Sequence, residues 1–338
     1  MPGSRSNPSD DAGRAVTRAA ARTWGVAIGW LVLRALIVTV AVIVAGFALL
    51  KMMPGTAVSA LLGSHSTPAA RQRLSAQLGL DVPWWEQLGK LFGNLLTHGD
   101  VGPSLITGES VRASITARAG ITLSIVVLAM IIAVTCALVL AIVAATYQNR
   151  WPDHVVRVVL TGGIAVPTFW LGLLLILVFS VRLQWFPVAG VGVGADRLRS
   201  LVLPAITAAV GIIPVLARSL RAQLLEVMHA DFIVAVRATG ISRVRIALRH
   251  LVPNAAVPAL TLAGTNLAYL VGGTFVLESV FTIPGVGDLM FRSIGNRDVT
   301  TIIGIVIYTA ILVIVVNLAT DVAVRLIDPR IGRPAVAR

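Results

Sequence analysis

Charge is what this chain has least of. Only 13% of its 338 residues are charged while 57% are hydrophobic, a balance that excludes an ordinary soluble domain. Lysine is nearly missing, present as Lys51 and Lys90 alone. A nucleotide-binding P-loop needs a Lys that follows Gly and precedes Ser or Thr, so that backbone N–H groups and an ammonium hold the phosphates. Here Lys90 is followed by Leu91, and Trp84 stands where the first Gly belongs, so the chain is not its own ATPase. The one cysteine, Cys136, lies in an apolar run and excludes an intrachain disulfide or a multi-cysteine metal site. His65, His98, His154, His229 and His250 never fall at His-Glu-x-x-His spacing, and no Gly-x-Ser-x-Gly turn occurs. No catalytic residue and no metal site is expected.

What the chain has instead is long apolar runs. A bilayer core about 30 Å thick needs about 20 apolar residues in a helix, and about six stretches are candidates: roughly Trp24–Leu50, Thr122–Ala145, Val156–Val181, Leu201–Leu216, Ala255–Leu277 and Thr301–Val324, of which the fourth alone falls short of that length. The third carries Pro167 and is expected to kink there, while Pro204, Gly211 and Pro214 are expected to interrupt the fourth. Residues 1–22 read as a disordered tail. Met53-Pro54-Gly55 ends the first span, and residues 56–116 form an amphipathic segment with an aromatic pair, Trp84-Trp85, suited to a membrane interface. Asn317 and Asp321 lie four apart on one helical face of the sixth span, which is expected to be buried.

The net charge of +13 is carried by arginines that cluster beside apolar runs and not along one basic face, so orientation explains them better than nucleic acid. An even number of spans puts both termini on one side. A cytoplasmic placement collects Arg14, Arg18, Arg22, Arg150, Arg157, Arg218, Arg221, Arg237, Arg243, Arg245, Arg249, Arg325, Arg330 and Arg333 inside, the direction the positive-inside rule requires; the outer loops hold Arg71, Arg73, Lys90, Arg112, Arg182, Arg197 and Arg199 with most of the acids, and Arg182, Arg197 and Arg199 blur the bias. The largest basic interruption is Asp231–Pro258. Ala235, Ala238 and Gly240 put small side chains at helical spacing there, so another protein's surface could approach the backbone closely.

That loop carries a resemblance. Asp231-Phe232-Ile233, Arg237-Ala238-Thr239-Gly240-Ile241, His250, Asn254-Ala255 and Pro258 resemble the cytoplasmic "EAA" loop of ATP-binding-cassette importer permeases of the dipeptide/oligopeptide/nickel family. Val234 stands where the general motif has its glutamate and Val236 where an alanine is usual. Further pieces extend the similarity over nearly everything after the tail: Leu78-Gly79-Leu80-Asp81, Gly99-Asp100-Val101-Gly102 with Ser104, Pro167–Gly172, Glu278–Gly287, Arg297-Asp298 and Asp328-Pro329-Arg330.

The resemblance implies an all-α membrane protein of the type I importer permease fold, with about six transmembrane helices and an extended extracytoplasmic segment after the first. The expected layout is a tail at 1–22, the first helix and turn at 23–55, the extracytoplasmic segment at 56–116, a permease core of about five helices at 117–330 with its coupling loop at 219–254, and a second tail at 331–338. It implies an ATP-driven importer of di- or oligopeptides in the bacterial plasma membrane, or of nickel chelates or other small solutes as the alternative. Implied partners are a second homologous permease, two ATPase subunits that bind ATP and Mg, an extracytoplasmic solute-binding protein and lipid. Asp231, Phe232, Ala235, Arg237, Ala238, Gly240, His250 and Asn254 are the implied ATPase-coupling residues. Thr265 and Asn266 are candidates for the translocation path, with helix-to-helix bonding as the alternative role. A secondary transporter is disfavoured, since no internal repeat and no acid near the bilayer centre is evident.

Overall fold

Apart from one isolated antiparallel bridge, Pro103 with Ser110, the regular elements among the described residues are all helical. A computed structural model describes residues 57–62, 66–229 and 252–327, together with positions 33, 37, 40, 41, 43–48, 233, 245 and 249. The chain divides into two units, Met1–Pro54 and Gly55–Arg338. In the first, the described positions between 33 and 48 are helical, inside the run expected to form the first span.

The second unit begins with three helices, α1 (Ala57–Leu62), α2 (Pro68–Gln77) and α3 (Trp84–His98). Thr67 starts α2 by accepting the Ala70 N–H on its hydroxyl at 3.3 Å. Gly99 ends α3 in the left-handed region, φ 63°, where a side chain would be strained. Trp84 and Trp85 are both exposed and meet edge to face, ring centroids 5.7 Å apart.

Helix α4 (Val111–Thr146) is 36 residues long, about 54 Å at 1.5 Å per residue, and overshoots the run expected from Thr122. Ser110 explains its start, accepting the Ala113 N–H at 3.2 Å. Next come α5 (Trp151–Ala165) and α6 (Thr168–Leu175), which widens into a π-helical stretch, Ile176–Arg182. The sequence predicts one kinked span here. The two halves instead meet at 99°. Pro167 has no N–H and holds Val166 extended, ψ 120°, so the ladder is cut across two residues.

The prolines of α7 (Ala195–Met228) behave in the opposite way. Pro204 and Pro214 lie inside one unbroken helix, which corrects the expectation of an interrupted fourth span. Proline frees carbonyls that neighbours can tolerate only where the helix is held, and α7 is held: 67% of its apolar window is buried inside the chain, more than in any other candidate span described. The chain continues as α8 (Val252–Val280), α9 (Val286–Asn296) and α10 (Val299–Ile327). Four of these helices are long and apolar enough to cross a membrane, five spans if the bent pair counts as one. The first of the six expected spans lies mainly outside the described residues.

The core sits between α4 and α7, the most extensive helix pair. Ala129, Ala133, Ala137, Ala141 and Ala144 of α4 are all buried, a small-residue ridge at i, i+4 and finally i, i+3 spacing that lets the helices approach closely. Facing it, α7 buries Ala205, Ala209, Ile212, Leu216, Leu220 and Leu224. Helix α8 packs on α7 and on α10. Gly264 of α8 lies so close to Thr320 of α10 that a side chain on it would overlap the threonine. Asn317 is exposed on α10 and not buried within this chain as expected, and the side chain of Asp321 lies outside what is described.

Candidate functional site

The two motif-bearing loops expected outside the membrane turn out to be tied to each other through one carboxylate. Asp298, 4% exposed, accepts the Ser104 hydroxyl at 2.5 Å, the Thr301 hydroxyl at 2.6 Å and the Leu105 N–H at 3.2 Å. Asp100 organises the adjoining turn by accepting the Ser110 hydroxyl at 2.6 Å and the Gly102 N–H at 3.3 Å. Glu278, fully buried at the end of α8, accepts the Gly287 and Asp288 N–H groups at 2.7 and 3.3 Å, and so caps α9. Gly285 leaves room for that carboxylate; a side chain there would overlap it. Val286 N–H adds a bond to Thr122 Oγ1 at 2.9 Å. Asp100 and Asp298 are thus held by neighbouring donors on both oxygens, whereas Glu278 takes both of its bonds on Oε2 and its buried Oε1 has no partner among the described residues.

A cavity of about 620 Å³ opens where α5 and α6 diverge, walled by both, by α7 and by α8. Its size is in the range of small-ligand sites. The break at Val166–Pro167 lies on its wall, with Val166 and Thr168 both lining the cavity. Gly163 sits on Pro214 and Gly211 on Thr168, with contacts of 3.5 and 3.1 Å waiting for any added Cβ, so the helix-breaking residues of α7 face the bend. Asn266 and Tyr269 line the cavity from α8, and Arg218 from α7.

The end of α7 nearest segment 230–251 is anchored by a buried ion cluster. Asp153 on α5 is 0% exposed and takes a two-pronged bond from Arg221 on α7, Nε to Oδ1 at 2.9 Å and Nη2 to Oδ2 at 2.8 Å. Arg157 adds Nη2 to Oδ2 at 2.9 Å, and the Asn149 N–H adds 3.0 Å. Both carboxylate oxygens are engaged, Oδ1 by one donor and Oδ2 by three, and such pairing is the condition for keeping a charge buried.

Of the residues singled out from the sequence, Asn266 reaches the cavity, while its own N–H is bonded to Leu262 O at 2.8 Å. Thr265 is exposed, donates to Thr261 O at 3.1 Å and is not part of the cavity lining. Asn254 lies in the first turn of α8. Asp231, Phe232, Ala235, Arg237, Ala238, Gly240 and His250 lie outside the described residues. The Asp153 cluster was missed by sequence reasoning: Asp153 and Arg157 at i, i+4 were the only local signal, and Arg221 stands 68 positions away.

A bundle of long apolar helices, broken at one span beside a cavity, has the architecture of a multi-pass membrane protein. The family model for binding-protein-dependent transport system inner membrane components matches residues 137–333, and the chain belongs to that family. A protein of Brucella abortus (strain 2308) that bears the name of a peptide transport system permease is 35% identical over 304 residues, covering 89% of this chain and 96% of that one. The glutathione transport system permease protein GsiC of Escherichia coli (strain K12) is 34% identical over 285 residues, 84% of this chain and 92% of its own. Among solved structures, the inward-facing MetNI methionine ABC transporter aligns with a TM-score of 0.54 at 20% identity, over 63% of this chain and 95% of that chain, a likeness of fold. The chain is thus a non-catalytic inner-membrane subunit of an ABC importer, with ATPase and solute-binding partners implied by the family.

Proposed function

We propose that this chain forms half of the translocation path of an ATP-driven peptide importer. The observation that carries the reading is its similarity, over 89% and 84% of its length, to permeases named for peptide and glutathione transport; glutathione is itself a small peptide. A second homologous permease completes the path, and two ATPase subunits bind ATP and Mg. The bias of arginines towards one side favours both termini in the cytoplasm. In that orientation α7 descends into the 230–251 segment, whose Asp231, Phe232, Ala235, Arg237, Ala238, Gly240 and His250, with Asn254 beyond, seat in a cleft of an ATPase.

Alternating access needs a discrete element that the nucleotide state can bias. The seated segment is that element, and the Asp153–Arg221 cluster is the joint through which its motion reaches the α5–α6 bend. When the ATPases close, α7 and α5 move as one body and the cavity between them and α8 changes its exposure. Reconstituting the chain with its ATPase, second permease and binding protein in liposomes tests the reading. Uptake of a labelled di- or tripeptide that requires both ATP and the binding protein supports it; ATP-driven uptake of a different solute, with peptides excluded, rejects it.

A further inference from the structure

Resting on the peptide reading of the path, we propose that Arg218 recognises a carboxylate of the solute, so that the cavity favours peptides with a free C-terminal acid. Among the described residues lining the cavity Arg218 is the one charged side chain, and no Asp or Glu accompanies it. Its neighbours differ in kind. Arg221, three residues on, and Arg157 on α5 both bind Asp153, whereas Arg218 is exposed and makes no ion pair or hydrogen bond with a described residue. An arginine needed only to orient the span could have joined that cluster or faced outward; this one lies on the cavity wall.

The surroundings suit an anion. Ala208, Ile212, Leu270 and Leu277 give the cavity apolar walls, beside which a guanidinium attracts a carboxylate more strongly than it does in water. Its N–H groups form a fork that matches two carboxylate oxygens, a match an ammonium makes less well. The wall of α7 from Ala208 to Arg218 is about 15 Å long, room for an extended chain of about four residues. Gly273 has nothing within 4 Å of where its side chain would begin, leaving width for a peptide side chain. Asn266, whose amide N–H is bonded to Leu262 O, keeps its carbonyl oxygen as an acceptor for a peptide N–H.

The test uses the complete reconstituted importer and one tripeptide prepared as the free acid and as the C-terminal amide, each loaded on the binding protein to measured saturation. The quantity read is the ratio of initial uptake rates, acid over amide. In Arg218→Gln the ratio falls about tenfold, the loss expected for a charge-assisted hydrogen bond. Arg218→Lys, which keeps the charge, holds it within about threefold of wild type. An unchanged ratio in Arg218→Gln, or an equal loss in Arg218→Lys, overturns the proposal. A wild-type complex that moves neither form overturns the peptide reading beneath it, and is seen before any variant is made.

Discussion

Breaking the Asp153 cluster from its two sides is expected to have unequal costs, set by where each partner can find water. Asp153 is fully buried, while the side chains of Arg221 and Arg157 are 19% and 43% exposed. Removing Arg221 by Arg221→Met deletes two of the four bonds to a carboxylate that is 0% exposed; loss of one partner of a buried pair costs about 3–5 kcal/mol. Asp153→Asn instead leaves two arginines that can turn outward, so its cost is nearer to about 2 kcal/mol. Arg157→Met removes a half-exposed i, i+4 pair and costs under about 1 kcal/mol. The double change Asp153→Leu with Arg221→Met replaces the pair by apolar groups and is expected to recover most of the loss, because no charge remains to be desolvated. Reversible unfolding of the detergent-solubilised protein gives the four values, and the single variant Asp153→Leu, measured beside them, closes the cycle that yields the coupling energy. Equal costs for Arg157→Met and Arg221→Met, or additive losses in the double variant, would refute the account of the cluster.

Other perturbations address the packing and the coupling segment. Gly264→Leu pushes a side chain into Thr320 and should destabilise by about 1–3 kcal/mol, read as a lower unfolding midpoint of the purified chain; Gly272→Ala on the same helix, with nothing within 4 Å, should be tolerated. Glu278→Ala leaves the Gly287 and Asp288 N–H groups without their acceptor and should cost about 1–3 kcal/mol, visible as faster amide exchange at the start of α9. Gly240→Trp should leave the protein inserted yet abolish uptake and transport-stimulated ATP hydrolysis, and normal uptake by that variant would exclude the segment as the coupling element.

The spans were legible because hydropathy and length are local properties. The run expected from Ala255 to Leu277 is α8, Val252–Val280, and the run from Thr301 to Val324 is α10, Val299–Ile327. Proline was legible as a disturbance and illegible in its outcome. Pro167 cuts a span through 99° where a kink was expected, and Pro204 and Pro214 leave α7 whole, since the result depends on which neighbours hold the helix. Long-range pairs were out of reach for the same reason. Nothing local joins Ser104 to Asp298, 194 positions apart, or Asp153 to Arg221. The two candidates named for a path show the limit at its finest: Asn266 lines the cavity and Thr265 does not, because one residue along a helix turns the side chain by about 100°.

The most direct test of the central claim is to purify the chain from its native membrane in mild detergent and identify what accompanies it by mass spectrometry. A subunit of an ATP-driven peptide importer should bring two copies' worth of ATP-binding-cassette ATPase and one further permease, in fixed proportion. A chain recovered reproducibly alone, under conditions that keep a control ABC importer intact, would contradict the account.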